Sequence, residues 1–266
     1  MKLSLNYKNI DFAIFYRTNS QSRVFEDMLR KENLPYKVIG GLKFYDRKEI
    51  KDILAYLKFI VNTNDTVSLT RIINTPTRGI GKATLDKIRF TALDENTTQW
   101  DVIAQDKLQG KIPKGVSSFK NIILSLNGDL QGIPKILTLS KFIQSVVEKS
   151  GYKRDLLEEN SLESKSRIDN IDEFINSVFD YELTNPEATV ENFLQDISLL
   201  TSEENPNQDP DNTDQTITLM TVHNSKGLEF PVVFLTGMEE NLFPHRLSTD
   251  TDDGIEEERR LCYVGI

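Results

Sequence analysis

Two stretches with the signature of buried strands stand near opposite ends of this chain of 266 residues, and nearly everything between them reads as helix. Residues 11–16 (Asp-Phe-Ala-Ile-Phe-Tyr) and 216–222 (Thr-Ile-Thr-Leu-Met-Thr-Val) are rich in the aromatic and β-branched types that suit a pleated, half-buried surface. Residues 35–39 add a short strand closed by Gly40 and Gly41, and residues 232–235 form an apolar run of the kind found in strands buried on both faces. Helices alternate with the first two strands: one runs to about Asn33, and a second, opened by Asp46 and Glu49, puts Ile50, Ile53, Leu54, Leu57 and Ile60 on one apolar face. From residue 98 to residue 200 the patterns are helical almost throughout, at 100–108, 116–126, 139–150, 168–183 and 190–200. The pattern predicts an α/β domain with a parallel sheet, made from residues 1–108 and 214–266, with an all-α insertion at 109–213. The acidic, proline-containing tract 201–214 reads as the surface linker that returns the chain to the sheet.

Composition narrows the classes of function. No apolar run is long enough to span a bilayer, and the N-terminus lacks the profile of a secretory signal, so a cytoplasmic protein is expected. One cysteine excludes an internal disulfide framework, and with only His223 and His245 no zinc-type spacing exists, so no metal site made of protein ligands is expected. The net charge of −9 hides a gradient: +5 over residues 1–108, −8 over 109–213 and −6 over 214–266. An acidic total weakens a nucleic-acid reading without removing it, because a local basic stripe can bind a polyanion.

Four places carry candidate chemistry. Between the strands at 216–222 and 232–235 lie His223, Asn224, Ser225, Lys226, Gly227 and Glu229. Small and polar residues between two buried strands must emerge at one sheet edge, where ligands are held. Arg17 follows the first strand at the same kind of edge, where its planar fork suits phosphate oxygens, although from its own position a salt bridge is the commoner use of an arginine at a loop edge. Phe44 and Tyr45 sit beside Lys43 and Arg47, a grouping that either stacks bases or packs on the following helix. The Gly79-Ile80-Gly81 turn is surrounded by Arg71, Arg78, Lys82, Lys87 and Arg89. It reads either as a sequence-independent clamp on a nucleic-acid backbone, formed by Arg78, Gly79, Gly81 and Lys82, or as a tight helix–helix turn that needs glycine.

Two of these stretches, with a third near the end of the chain, together carry a resemblance. Tyr16-Arg17-Thr18-Asn19-Ser20-Gln21-Ser22-Arg23, Thr221-Val222-His223-Asn224-Ser225-Lys226-Gly227-Leu228-Glu229-Phe230 and residues 256–263 are similar, in order, to motifs of the UvrD/PcrA/Rep family of superfamily-one DNA helicases. The closest likeness is to its PcrA branch. The resemblance implies the second half of a motor: a RecA-like, P-loop-NTPase-type domain (2A) carrying a helical insertion (2B). It also implies that ATP with Mg²⁺ lies against an N-terminal motor half (1A/1B) that holds most of both, since no Gly-x-x-x-x-Gly-Lys-[Ser/Thr] loop occurs in this chain. Carried over by motif, Arg17 resembles the arginine that reaches the terminal phosphate and Glu229 the glutamate that binds the nucleotide sugar. Thr221, His223 and Lys226 resemble residues that grip single-stranded DNA.

What the resemblance implies is a fragment of an ATP-dependent 3′–5′ DNA helicase of repair or replication, acting on single strands and on single-strand/duplex junctions. The family's arginine finger lies just past its last motif, and this chain ends at Ile266, so the piece reads as cut from a longer protein and is expected to be inactive alone. Two other readings stay open: a helicase subunit of a helicase–nuclease complex, and a non-enzymatic DNA- or partner-binding module.

Overall fold

The computed structural model describes residues 7–110, 112–132, 137–202, 215–246, 248–249 and 251–266. Four strands, β1 (Phe12–Tyr16), β2 (Tyr36–Ile39), β3 (Ile217–Thr221) and β4 (Val232–Leu235), form one sheet in the order β2-β3-β1-β4. Every neighbouring pair is parallel. The register sets Tyr16 opposite Thr221 and Ile39 opposite Met220, so the C-terminal ends of β1, β2 and β3 line up along one edge. All five residues of β3 are buried, as a strand with neighbours on both sides requires.

The expectation that residues 232–235 are buried on both faces is corrected. β4 is an edge strand of this sheet, and Val233 and Phe234 are exposed, Phe234 stacking on Phe12 at 6.3 Å between ring centroids. An apolar run alone does not distinguish an edge strand from a central one.

Eleven α-helices lie among the described residues: α1 (Ser22–Lys31), α2 (Lys48–Val61), α3 (Thr66–Ile72), α4 (Lys82–Asp94), α5 (Gln99–Ala104), α6 (Lys114–Leu130), α7 (Leu139–Lys149), α8 (Tyr152–Glu159), α9 (Leu162–Thr184), α10 (Val190–Ser202) and α11 (Asp252–Gly265). Their starts follow local chemistry. Asp65 accepts the Val67 and Ser68 N–H groups ahead of α3, Thr98 accepts that of Asp101 ahead of α5, and Ser161 accepts that of Ser164 ahead of α9, each satisfying an orphan donor of a first turn. Helix α8 has no counterpart in the hydrophobic pattern because only Tyr152 and Leu156 of it are buried. Left-handed Gly151 and Asn160 delimit it.

The described residues divide into two compact units, one within Met1–Arg47 and Leu200–Ile266, the other within Lys48–Leu199. Among the described residues the first division therefore falls at 47/48, whereas the helical pattern of the sequence places it at 108/109; the expected second division at 213/214 and most of the expected linker 201–214 lie outside the described residues. Helix α2 accounts for the difference. Its apolar face, with Ile50, Ile53, Leu57 and Ile60 all buried, packs on α3, α6, α7 and α9. Its two buried carboxylates also bond within the helical unit, Glu49 to the Asn170 amide at 2.6 Å and Asp52 to the Tyr152 hydroxyl at 2.7 Å and to Arg71 at 2.7 Å. A helix that buries both its apolar stripe and its acids among helices belongs to them, whatever precedes it in sequence.

In the sheet unit, Ala13, Phe15, Met220, Val222, Phe243 and Leu261 form one core and Tyr16, Leu29, Tyr36, Ile217 and Leu219 the other. Glu26 is completely buried and is held by the Ser22 hydroxyl at 2.8 Å, the Tyr36 hydroxyl at 3.2 Å and the Phe44 N–H at 3.1 Å, which ties α1, β2 and the segment after β2 together. Burial, reinforced by the Glu26 charge, pushes the Tyr36 hydroxyl up, so it stays a proton donor to that carboxylate.

Candidate nucleotide and nucleic-acid site

The sheet order places a switch point between β1 and β3. The connection out of β1 leads to β2 across β3, and the connection out of β3 leads to β4 across β1, so the two leave in opposite directions. Ligands of open parallel sheets lie in the crevice at such a point, beyond the carboxyl ends of the strands. Arg17 follows β1 and the turn Val222–Ser225 follows β3, so both stand at this point.

Each loop is shaped from within. After β1, the Gln21 side-chain oxygen accepts the Arg17 N–H at 3.0 Å and the Thr18 N–H at 2.9 Å, folding the chain over before α1. Gly237, beyond β4, takes a left-handed φ of +69°, and a Cβ there would lie 2.3 Å from the Gln21 amide nitrogen, so glycine is required to let the two loops touch. After β3, Ser225 donates its hydroxyl to the Val222 carbonyl at 2.8 Å. Asn224 fills the space over Gly40, where a Cβ would meet its amide at 2.0 Å, so this polar residue serves loop packing.

His223, Lys226 and Glu229 are exposed, and Lys226 and Glu229 form no ion pair or side-chain hydrogen bond among the described residues. Thr221, the last residue of β3, is buried. Partial burial and then the nearby Arg17 charge pull His223 below the usual histidine range, opposed by Glu258 and Glu257, so the ring is neutral at pH 7. The Arg17 influence is itself a statement of proximity: the β1 and β3 loops share one electrostatic environment.

Arg17 has a protein partner that the sequence pattern did not identify. Its Nε stands 2.9 and 3.1 Å from the two oxygens of Glu258 on α11, and its Nη2 stands 2.5 Å from Oε1. Glu258 also accepts the His245 N–H at 3.1 Å and the Ser248 hydroxyl at 2.9 Å. Burial opposes ionisation of this carboxyl. The hydrogen bond from Arg17, those from His245 and Ser248 and the Arg17 charge outweigh it and hold the group below the usual glutamate range. A signal was present in the helix. Glu258, Leu261 and Gly265 lie at i, i+3 and i+7 and are the buried residues of α11, whereas Glu256 and Glu257 pair on the surface with Arg259 and Arg260. One glutamate of three adjacent ones on the apolar stripe marks an internal partner.

Two expected nucleic-acid residues have other work in the structure. Phe44 is fully buried, edge-on to Tyr45 at 5.3 Å and covered by the Arg47 guanidinium at 4.9 Å, so it presents no face for a base; of the two readings of this aromatic group, packing is the one observed. Arg78 is spent inside the helical unit. Its guanidinium donates to the carbonyls of Ile72, Ile73, Pro76 and Ser150 and to the Tyr56 hydroxyl, and it covers the Phe119 ring at 5.7 Å. The neighbours of Arg78 differ. Gly79 has a φ of +70°, Gly81 precedes the first turn of α4 with no side-chain cap, and a Cβ on either would meet nothing. Lys82 is exposed, while Arg71 pairs with Asp52. The turn thus keeps bare backbone and one lysine outward, and Asn74 holds its shape by accepting the Arg78 and Ile80 N–H groups.

The UvrD-like helicase C-terminal domain model matches residues 1–266. The chain is 45% identical over 263 residues to a Staphylococcus aureus ATP-dependent DNA helicase PcrA, covering 96% of this chain and 35% of that protein. It is 46% identical over 266 residues to the Staphylococcus epidermidis ATP-dependent DNA helicase PcrA, covering 97% and 35%. The chain spans about a third of the length of these curated relatives.

Two outcomes follow from the site. Replacing Arg78 with Ala leaves several partly buried carbonyls without their donor and is expected to cost about 2–4 kcal/mol of stability, whereas Lys82→Ala changes it by under about 0.5 kcal/mol. Urea unfolding of the two variants measures both, and equal midpoints would show that Arg78 is not a structural hub. The second outcome concerns pH. Because the Glu258 pKa is lower in the folded than in the unfolded state, the stability it supplies is complete above the ordinary glutamate value and is lost as the pH falls through the depressed one. The stability gap between wild type and Glu258→Gln should be constant above about pH 5 and close below about pH 4. A gap that widens on acidification contradicts this assignment.

Proposed function

This chain belongs to the UvrD-like helicase C-terminal domain family, and on that premise we propose that it is the second motor half of a longer ATP-dependent DNA helicase. The observation that carries the reading is the placement of Arg17 and the Val222–Ser225 turn on adjacent parallel strands at the switch point of a RecA-like sheet. An arginine there suits the terminal phosphate of ATP. Glu229, an acceptor when ionised, suits a sugar hydroxyl and would repel a phosphate. Lys226, in the same loop, is the natural partner of a strand phosphate, and Thr221 and neutral His223 stand beside it. ATP and Mg²⁺ are held mainly by the N-terminal motor half, whose closure against this edge would move the strand ligands together with the nucleotide ligands. The direction of movement is 3′ to 5′ on single-stranded DNA, in repair or replication in the cytoplasm. The helical unit supplies the turn with Gly79, Gly81 and Lys82 as a sequence-independent grip on duplex backbone at the junction. Arg78 supports that turn from below.

Separable defects test the division of labour within one loop. In the complete protein, Lys226→Ala is expected to weaken oligothymidine affinity by about 1–3 kcal/mol with nucleotide affinity near normal, and Glu229→Ala to do the reverse. If both substitutions lower thermal stability alike and leave both affinities untouched, the loop is structural and the reading fails.

A further inference from the structure

Glu258 is the most heavily bonded acid at the switch point, and the ligand assignments above leave it without a role. Its side chain is 5% exposed and receives donors from two segments: the loop after β1 through Arg17, and the segment before α11 through His245 and Ser248. A buried carboxylate persists only where it is fully paired. The pairing with Arg17 is side-on. Nε and Nη2 both face the carboxylate, so the guanidinium plane cannot rotate, and Nη1 makes no hydrogen bond to protein among the described residues. The Arg17 side chain is 17% exposed, so the fork is neither sealed nor loose. A guanidinium has five N–H donors, and one carboxylate engages one side of the fork only. Glu258 also belongs to α11, whose Gly265 sits where a Cβ would touch Val222 and Leu235 at 3.3 Å, so the helix that carries the acid is seated directly on the turn after β3.

We propose that Glu258 is a positioning residue for ATP turnover: it holds the Arg17 guanidinium in one orientation with Nη1 free for the terminal phosphate, and it ties that arginine to α11. The proposal rests on the reading of Arg17 as a nucleotide ligand. The pair is neutral in sum, so what Glu258 supplies is orientation and not attraction. Loss of orientation in a group that acts on the transferring phosphoryl charge shows in kcat more than in KM.

The test is steady-state ATP hydrolysis by the complete protein with oligothymidine, for Arg17→Ala, Glu258→Gln, Ser248→Ala and the Arg17→Ala/Glu258→Gln pair. Arg17→Ala is expected to lower kcat/KM roughly 100-fold, and Glu258→Gln to lower kcat roughly 10-fold with KM within about 3-fold. The double variant should be no worse than Arg17→Ala alone, with oligothymidine affinity unchanged throughout. If Arg17→Ala abolishes turnover while Glu258→Gln does not lower it, or if the two losses add in full, the positioning role is overturned and the nucleotide role of Arg17 survives. Wild-type turnover by Arg17→Ala overturns the nucleotide reading itself. Should Glu258→Gln fail to fold, Ser248→Ala removes one donor from the carboxylate and keeps its charge, and a kcat equal to wild type in that variant overturns the proposal.

Discussion

The parallel pairing of β1 with β3 is the constraint on which the rest of the sheet unit depends. Ala13 pairs with Thr218 and Tyr16 with Thr221, so a strand near the start of the chain finds its partner about 200 residues later. Closing so long a loop costs little more than closing one half its length, because the penalty grows only with the logarithm of length. A whole helical unit can therefore lie between β2 and β3 in sequence, provided the strands bury enough apolar surface to repay the closure. They do so on both faces, with Phe15, Met220 and Val222 in one core and Tyr16, Ile217 and Leu219 in the other. The same pairing brings Arg17 and the Val222–Ser225 turn to one edge. Fold and site rest on one register.

That edge is electrostatically compact. Burial and then the Arg17 charge lower His223, Glu258 pairs with Arg17, and the carboxylate in turn is satisfied by His245 and Ser248. Arg17, α11 and the segment before it are thus joined through one carboxylate. Glycines at 40 and 237 let the neighbouring loops close over this network without steric conflict. The helical unit is organised by a comparable device. Arg78 bonds the ends of α3 and α7, and Asp52 joins α2 to Tyr152 and Arg71. Guanidinium and carboxylate groups placed under loops here hold backbone in place and leave the surface to Lys82, Lys226 and Glu229.

Much of this was legible in the residues. The four strands lie within one or two residues of their expected positions, since aromatic and β-branched runs bounded by Gly, Pro and Asn leave few alternatives. The apolar stripe of α2 was legible as core, but not which core, because periodicity reports that a face is buried and not against what. Helix α8 was invisible because it buries only Tyr152 and Leu156. Exposure of β4 was missed because strand order is a property of pairing across the whole chain. At the candidate site, Arg17, His223, Lys226 and Glu229 stand out in the sequence by type and position, and the structure sets them on the loops after β1 and β3. Glu258 does not stand out, because three adjacent glutamates look alike until the helix phase assigns one of them to the interior. For Phe44 and Arg78 the residue types admitted both a ligand and a packing role, and only burial and hydrogen bonding separate the two.

The proposed function brings nucleotide and single strand together on two adjacent loops of one sheet. Amide hydrogen exchange across the complete protein measures this directly, with a non-hydrolysable ATP analogue, with oligothymidine and with both. Exchange is expected to slow at residues 17–21 with the analogue, at residues 222–230 with either ligand, and further at 222–230 when both are bound. Protection by each ligand confined to other segments, with 17–21 and 222–230 exchanging as in the free protein, would contradict it.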